Sequence, residues 1–257
     1  MLDWLRAEWA RPFHGWDFSY LAGRRETVDT KPWQFDPMLV EAIGRADAMV
    51  DLGTGDGRYL ASRLAETARR PRLVCATEGH PPNVPLARDR LALLGAGVVE
   101  VDTDGQAPGQ GRLPFVDGAF DLVMSRHTEY VAPEVARVLR PGGRLVTQQV
   151  GDQTNLDLHR VLGAPDPDRP AWDAGIAGAG AEAAGLHMLR AEDAFIVSRY
   201  HDVGAIAYYL KAVAWEIPDF TVDRYAGPLL ALHRRLARDD GPIEVGFHLF
   251  LLVAERA

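Results

Sequence analysis

Val50-Asp-Leu-Gly-Thr-Gly-Asp-Gly-Arg58 closes the apolar run that begins at Ala48 and leads into a helical pattern from Tyr59 to Thr67. A strand that ends in a glycine loop and opens a helix is a ligand-binding arrangement. Gly53, Gly55 and Gly57 let the backbone turn sharply and come close to a ligand, while the new helix offers unpaired N–H groups to an anion. The dinucleotide fingerprint G-x-G-x-x-G requires a glycine where Arg58 stands, so the spacing argues against NAD.

Working outward, Arg72-Leu-Val-Cys-Ala-Thr77 reads as a second strand and Gly97-Val-Val-Glu-Val101 as a third, with a helix over Val84 to Leu94 between them. Phe120-Asp-Leu-Val-Met-Ser125 is a fourth strand, Ala132 to Leu139 a helix and Arg144 to Val150 a fifth strand. Strands separated by single helices predict right-handed crossovers and a mostly parallel sheet. Beyond a loop at 163–170, helices are expected over 172–184, 203–215 and 222–237, and strands over Leu186 to Tyr200 and Ile243 to Ala254. Glu78, at the carboxyl end of the second strand, stands where an open α/β sheet binds ligands and where a carboxylate accepts hydrogen bonds from both hydroxyls of a ribose.

Composition narrows the function classes. With 47% hydrophobic and 25% charged residues, the 257-residue chain buries a sizeable core. The net charge of -8 disfavours a broad nucleic-acid surface, which needs Lys and Arg against phosphates. Apolar runs such as Phe247 to Ala254 fall short of the ~20 residues of a membrane span, and the N-terminus lacks an apolar signal core. A single cysteine, Cys75, forms no internal disulfide and supplies no thiolate cluster, so no metal site is expected and a cytoplasmic enzyme fits.

Four segments in order, Asp51-Leu-Gly-Thr-Gly-Asp-Gly57, Glu78, Leu113-Pro-Phe-Val-Asp-Gly-Ala-Phe-Asp-Leu-Val123 and Val138-Leu-Arg-Pro-Gly-Gly-Arg-Leu145, resemble the class I S-adenosylmethionine-dependent methyltransferases. The resemblance runs from about Asp51 to Val150 and more loosely to the C-terminus. It implies a Rossmann-like α/β fold with helices on both faces of a seven-stranded, mostly parallel sheet in the order 3-2-1-4-5-7-6. It also implies one methyltransferase domain over 1–257, in which 1–45 form an N-terminal cap or lid, 46–151 the cofactor-binding core and 152–257 the substrate-side elements and closing strands. S-adenosylmethionine is then the cofactor and S-adenosylhomocysteine the product. The cofactor-side residues become Asp51, Gly53, Thr54, Gly55, Gly57, Glu78, Asp104, Ser125 and Arg126, the glycine loop holding the methionine part and Glu78 the ribose. Asp104, with Gln106 as rival, is the adenine-side choice. The cluster Arg126-His-Thr-Glu-Tyr130, together with Thr147-Gln-Gln-Val-Gly151 and the Trp33 segment, resembles a bacterial branch of the family.

Each of these segments also has a plainer reading: Leu113, Phe115 and Phe120 as core, and Pro141-Gly-Gly143 as a turn. His127, just after the fourth strand, is the candidate to take a proton from an oxygen or nitrogen acceptor, with Glu129 second; a structural histidine bonded to backbone is the alternative. Tyr20 and Trp33, among the aromatic residues of the first 33 positions, are read as lid or acceptor-pocket residues, and the excess of tryptophan there favours a lid. Gln148 and Gln149 end the fifth strand; alternation sends one to the ligand edge, and Gln149 is the substrate-side choice. The expected partner is a small-molecule methyl acceptor. The alternatives are a tRNA, rRNA or protein methyltransferase, and a non-catalytic S-adenosylmethionine-binding regulatory protein.

Overall fold

The computed structural model describes residues 1–101, 111–238 and 241–257. In chain order the elements are α1 (Leu2–Ala10), a 3-10 turn (Ser19–Leu21), β1 (Arg25–Val28), α2 (Phe35–Arg45), β2 (Ala48–Leu52), α3 (Arg58–Glu66), β3 (Leu73–Glu78), α4 (Asn83–Ala92) and β4 (Gly97–Glu100). They continue with β5 (Phe120–Arg126), α5 (Ala132–Val138), β6 (Leu139–Val150), α6 (Leu156–Leu162), α7 (Ala174–Ala183), β7 (Leu186–Tyr200), α8 (Val203–Ala212), α9 (Ala226–Ala237) and β8 (Ile243–Arg256). The strands follow the order β1-β7-β8-β6-β5-β2-β3-β4. From β4 to β7 this is the expected 3-2-1-4-5-7-6. The correction is an eighth strand: β1 pairs antiparallel with β7, Arg25 opposite Tyr200 and Val28 opposite Val197. Arg25-Glu-Thr-Val28 is short and polar, as an edge strand should be, and carries no apolar stripe to announce it.

The chain divides into two units. The sheet unit comprises Pro32–Gly151, Trp172–Asp193 and Leu249–Ala257. Its central strand β2 is flanked on both sides by parallel partners and is buried from Met49 to Leu52, which is why it is apolar apart from Asp51. The Asp121 carboxylate sets the start of β2 by accepting from Asp47 N at 2.8 Å and Ala48 N at 2.9 Å, and Arg140 pairs with it at 2.6 Å. The Leu113-Pro-Phe segment is pinned from α5: Glu134 accepts from Leu113 N at 2.9 Å, while Arg137 donates to the carbonyls of Leu113 and Phe115. Phe115 meets Phe120 edge to face with centroids 4.9 Å apart, inside a core that also holds Leu113, Val123 and Leu145. That motif is packing, in keeping with the plainer reading of its residues.

The helical unit comprises Met1–Lys31, Asp152–Ala171 and Ala194–His248. Its core gathers Leu5, Leu21, Leu158, Tyr200, Ile206, Tyr209, Phe220 and Leu229, so the N-terminal stretch supplies part of that core. Trp9 packs on Phe220 and Phe13 on Tyr208. The buried Glu8 carboxylate accepts from Tyr20 Oη at 2.9 Å and pairs with Arg24 at 2.8 Å; Arg24 also reaches Asp202, the side-chain cap of α8. Residues 1–31 are therefore tied to their own unit by apolar burial and by a partly buried ion-pair network. The helix expected over 203–215 stops at Ala212, and Trp215 lies exposed beyond it. Among the described residues no helix is long and apolar enough to cross a membrane.

Candidate functional site

Parallel pairing in the sheet unit brings the carboxyl ends of five strands to one edge. Leu52 of β2 stands opposite Ser125 of β5, Glu78 of β3 opposite Glu100 of β4, and Arg126 of β5 opposite Gln148 of β6. The glycine loop leaves β2 at this edge with Gly53, Gly55 and Gly57 all at positive φ, 66°, 64° and 76°. It is anchored to β3 by Gly53 N donating to Thr77 Oγ1 at 3.1 Å and Thr54 N donating to the Thr77 carbonyl at 2.8 Å. Gly57 caps α3, and a Cβ there would come within 2.9 Å of Leu91 Cγ on α4. The turn thus needs glycine for conformation and for close helix packing.

Two carboxylates are buried beside the loop. Glu78 is 5% exposed and accepts from His80 N at 2.8 Å; burial pushes its carboxyl above the usual range, against the hydrogen bonds it receives from His80 and Gly55 backbone and from Asn83. Asp51, 3% exposed, is raised by burial from its ordinary 3.8 to about 7, with Glu78 adding to the shift and Thr54 and Arg126 opposing it. The folded chain therefore holds a proton at Asp51 that the unfolded chain has released. Stability contributed by this residue is present below the unfolded value and falls as pH rises through the window from 3.8 to about 7. Urea midpoints of the ligand-free chain should decline across that window, and Asp51→Asn should flatten the decline; parallel profiles for the two proteins would contradict the assignment.

Past β5 the chain makes a tight knot. Ser125 is fully buried, its Oγ donating to the Thr128 carbonyl at 2.9 Å, and Gln149 Nε2 donates to the same carbonyl at 2.9 Å and to Thr147 Oγ1 at 2.6 Å. Thr128 packs directly on Gly53. His127 takes a left-handed backbone conformation, φ 59°, unusual for a residue with a side chain. Its N–H donates to the Gln148 carbonyl at 2.9 Å and its ring Nε2 lies 3.1 Å from Gln148 Nε2. Gln148 Oε1 in turn accepts from the Trp33 indole N–H at 2.9 Å. Arg126 lies over the Tyr59 ring, 4.4 Å from its centroid, and Tyr59 Oη donates to Asp36 at 2.6 Å.

Of the residues singled out from sequence, Asp51, Gly53, Thr54, Gly55, Gly57, Glu78, Ser125, Arg126, His127, Glu129, Trp33 and Gln149 all belong to the sheet unit, and Tyr20 to the helical one. Asp104, like Gln106, lies outside the described residues. Trp33, read as a wall or lid residue, is 2% exposed and serves as a hydrogen-bond donor inside the sheet unit. Gln149, read as substrate-side, is also buried and spends its amide on the knot. His127 and Glu129 are exposed on the loop after β5. Sequence reasoning missed Thr128, Tyr59 and the use of Gln148; Tyr59, at the first turn of the loop's own helix, was the one with a positional signal.

Residues 50–147 match the family described as a methyltransferase domain. That segment of the chain is a methyltransferase domain. Among curated proteins it is 38% identical over 105 residues to the demethylmenaquinone methyltransferase of Thermus thermophilus, a match covering 38% of this chain and 44% of that one. It is 30% identical over 146 residues to a Micromonospora griseorubida protein provisionally named a 23S rRNA (guanine-N(1)-)-methyltransferase, covering 53% and 43%. The matched part thus spans less than half the length of these two relatives. The YcgJ protein of Bacillus subtilis shares the fold, with a TM-score of 0.55 and 17% identity over 86% of this chain and 97% of that one. The methyltransferase domain is therefore common to proteins named for a quinone precursor and for an RNA base, and the acceptor has to be argued from this chain's own residues.

Proposed function

We propose that this chain transfers the methyl group of S-adenosylmethionine to an oxygen or nitrogen atom of a small molecule. The observation that carries the reading is the edge itself: a thrice left-handed glycine loop on β2 with the buried Glu78 carboxylate at the end of the neighbouring β3. A loop that turns on positive φ leaves backbone where side chains would otherwise stand, which suits close approach by the amino-acid part of the cofactor. Glu78 is placed to exchange its present backbone donors for the ribose hydroxyls. The bound cofactor supplies a sulfonium methyl group open to in-line displacement, and the protein's part is to align acceptor and methyl in a water-poor site. Ser125, Thr128 and Gln149 hold the loop that carries His127 and Glu129 just past Arg126, the last residue of β5. A small molecule is favoured over RNA because the net charge is -8 and three arginines of the sheet unit are engaged within it: Arg126 over Tyr59, Arg90 on Asp56, Arg63 on Asp36.

Calorimetry should detect both S-adenosylmethionine and S-adenosylhomocysteine, and Glu78→Ala should weaken either by roughly tenfold or more, since hydrogen bonds to a charged group contribute about 1.5–3 kcal/mol. Unchanged affinity would place the ribose elsewhere, and preferential binding of NAD would overturn the reading. Incubation with methyl-labelled cofactor and fractionated extract should put label in small molecules; label in RNA or protein would move the acceptor class.

A further inference from the structure

The backbone N–H groups of the glycine loop are already in use. Gly53 and Thr54 donate to Thr77, Gly55 to the Glu78 carboxylate, Gly57 to the Thr54 carbonyl at 3.1 Å and Arg58 to Asp56 Oδ1 at 3.0 Å. Asp56 is 7% exposed and pairs with Arg58 at 3.1 Å and with Arg90 at 2.9 Å, so the opening turn of α3 holds a carboxylate of the chain's own. A second carboxylate arriving there would meet like charge at the place where a helix start ordinarily draws an anion. The amino-acid end of S-adenosylmethionine brings such a carboxylate, and in a water-poor site its charge has to be met by another group.

Arg126 is the cation with donors to spare. The other arginines beside the loop are spent, Arg58 and Arg90 on Asp56 and Arg63 on Asp36 and Glu66. Arg126 is exposed at the end of β5, and among the described residues no carboxylate stands within ion-pair distance of it. Its guanidinium lies over the ring of Tyr59, which belongs to the first turn of α3. Tyr59 is itself fixed, because its Oη donates to Asp36 at 2.6 Å and Asp36 pairs with Arg63 at 2.6 Å. A guanidinium resting on an aromatic ring keeps the N–H groups of its edge open for a two-pronged grip on a carboxylate, a geometry that an ammonium cannot offer. The charge of Arg126 also reaches the cradle, since it opposes the upward shift of the buried Asp51 carboxyl on β2.

We propose that Arg126, braced by Tyr59 and Asp36, binds the carboxylate of the cofactor's amino-acid end, in place of the helix start and the loop backbone. The proposal rests on the S-adenosylmethionine reading of this edge. A carboxylate on the methyl acceptor would be a second source of the same chemistry, and binding measured without any acceptor separates the two.

The test is calorimetry of the full chain with S-adenosylhomocysteine and with decarboxylated S-adenosylhomocysteine, which keeps the amine. The parent should prefer the carboxylate-bearing ligand by about tenfold or more, the scale of hydrogen bonds to a charged group, and added salt should narrow the preference. Arg126→Gln should erase the preference by weakening S-adenosylhomocysteine alone. Arg126→Lys, which keeps the charge but not the fork, and Tyr59→Leu, which removes the brace, should each retain part of it. An Arg126→Gln variant with the parent's preference would put the carboxylate elsewhere, and equal weakening of both ligands would make Arg126 a strut of the loop; either result overturns the proposal. A parent that binds both ligands equally overturns it too, yet spares the S-adenosylmethionine reading, whereas a parent that binds neither removes that reading and this proposal with it.

Discussion

Glu216→Ala is expected to cost the helical unit about 3–5 kcal/mol, the range for breaking one side of a buried charged network. Glu216 is 5% exposed, and its two oxygens receive Asn155 Nδ2 at 3.1 Å, His159 Nε2 at 3.2 Å and Arg169 at 3.1 Å. His159 is itself buried with its other ring nitrogen against the Pro165 carbonyl, and Arg169 donates to the carbonyls of Asp152 and Thr154. Asn155 stands in a left-handed conformation at the start of α6 and shares a hydrogen bond with Tyr209 of α8. Removing the carboxylate therefore leaves a guanidinium and an imidazole facing an empty space and loosens the chain on either side of α6. Against a typical total of about 5–15 kcal/mol, that loss is a large fraction. Glu216→Gln, which keeps one accepting oxygen, should fall between. The measurement is the denaturant midpoint followed by tryptophan fluorescence, four of the six tryptophans (Trp4, Trp9, Trp16 and Trp215) being in this unit. A midpoint shift equivalent to less than about 1 kcal/mol for Glu216→Ala would mean that the network contributes no more than an exposed ion pair.

That network also shows what a sequence hides. The glycine loop, Glu78 and the order of the seven main strands were legible because each rests on a local signal: a run of glycines at a strand end, a carboxylate at the next strand end, and apolar runs of strand length alternating with helical periodicity. Glu216 and Glu8 carry no such mark. They look like surface carboxylates, and only the tertiary contacts with Arg169 and Arg24 bury them. The link from Trp33 to Gln148 joins positions 115 residues apart, so neither residue's neighbours announce it. Trp33 was read as a lid or pocket residue because aromatic walls suit pockets, and Gln149 as substrate-side from strand alternation; in the structure both side chains are buried and hydrogen-bonded within the sheet unit. The unread helix α2 is a different case: Phe35, Leu39 and Ile43, spaced four apart and all buried, carried the signal. Pro37 lies in the first turn, where proline is accepted.

Gly53→Ala should be the most damaging change in the sheet unit that alters a single methyl group. A Cβ at this position would lie 2.2 Å from Thr128 Oγ1 and 2.6 Å from Thr128 Cβ, far inside contact distance. Thr128 has little room to withdraw, because its carbonyl is held by both Ser125 and Gln149. To this overlap is added the conformation: φ is 66°, where an L-residue is strained by roughly 1–2 kcal/mol. Overpacking of a fixed site costs about 1–3 kcal/mol more, so the sum is on the order of 2–5 kcal/mol. Gly95 supplies the control, being also at positive φ, 73°, but with nothing within 4 Å of its would-be Cβ, so Gly95→Ala carries the conformational cost alone. The difference between the two variants isolates the overlap with Thr128, and Thr128→Gly in the Gly53→Ala background should recover that difference and no more. Cofactor affinity separates the positions further, since the structure relieves the overlap only by shifting the loop off Thr77 or lifting Thr128 from the edge, and either movement alters the cradle. Gly53→Ala should thus abolish the calorimetric signal for S-adenosylhomocysteine while Gly95→Ala leaves it intact; equal stability and equal binding in the two variants would show that the Thr128 contact on Gly53 is not part of the fold in solution.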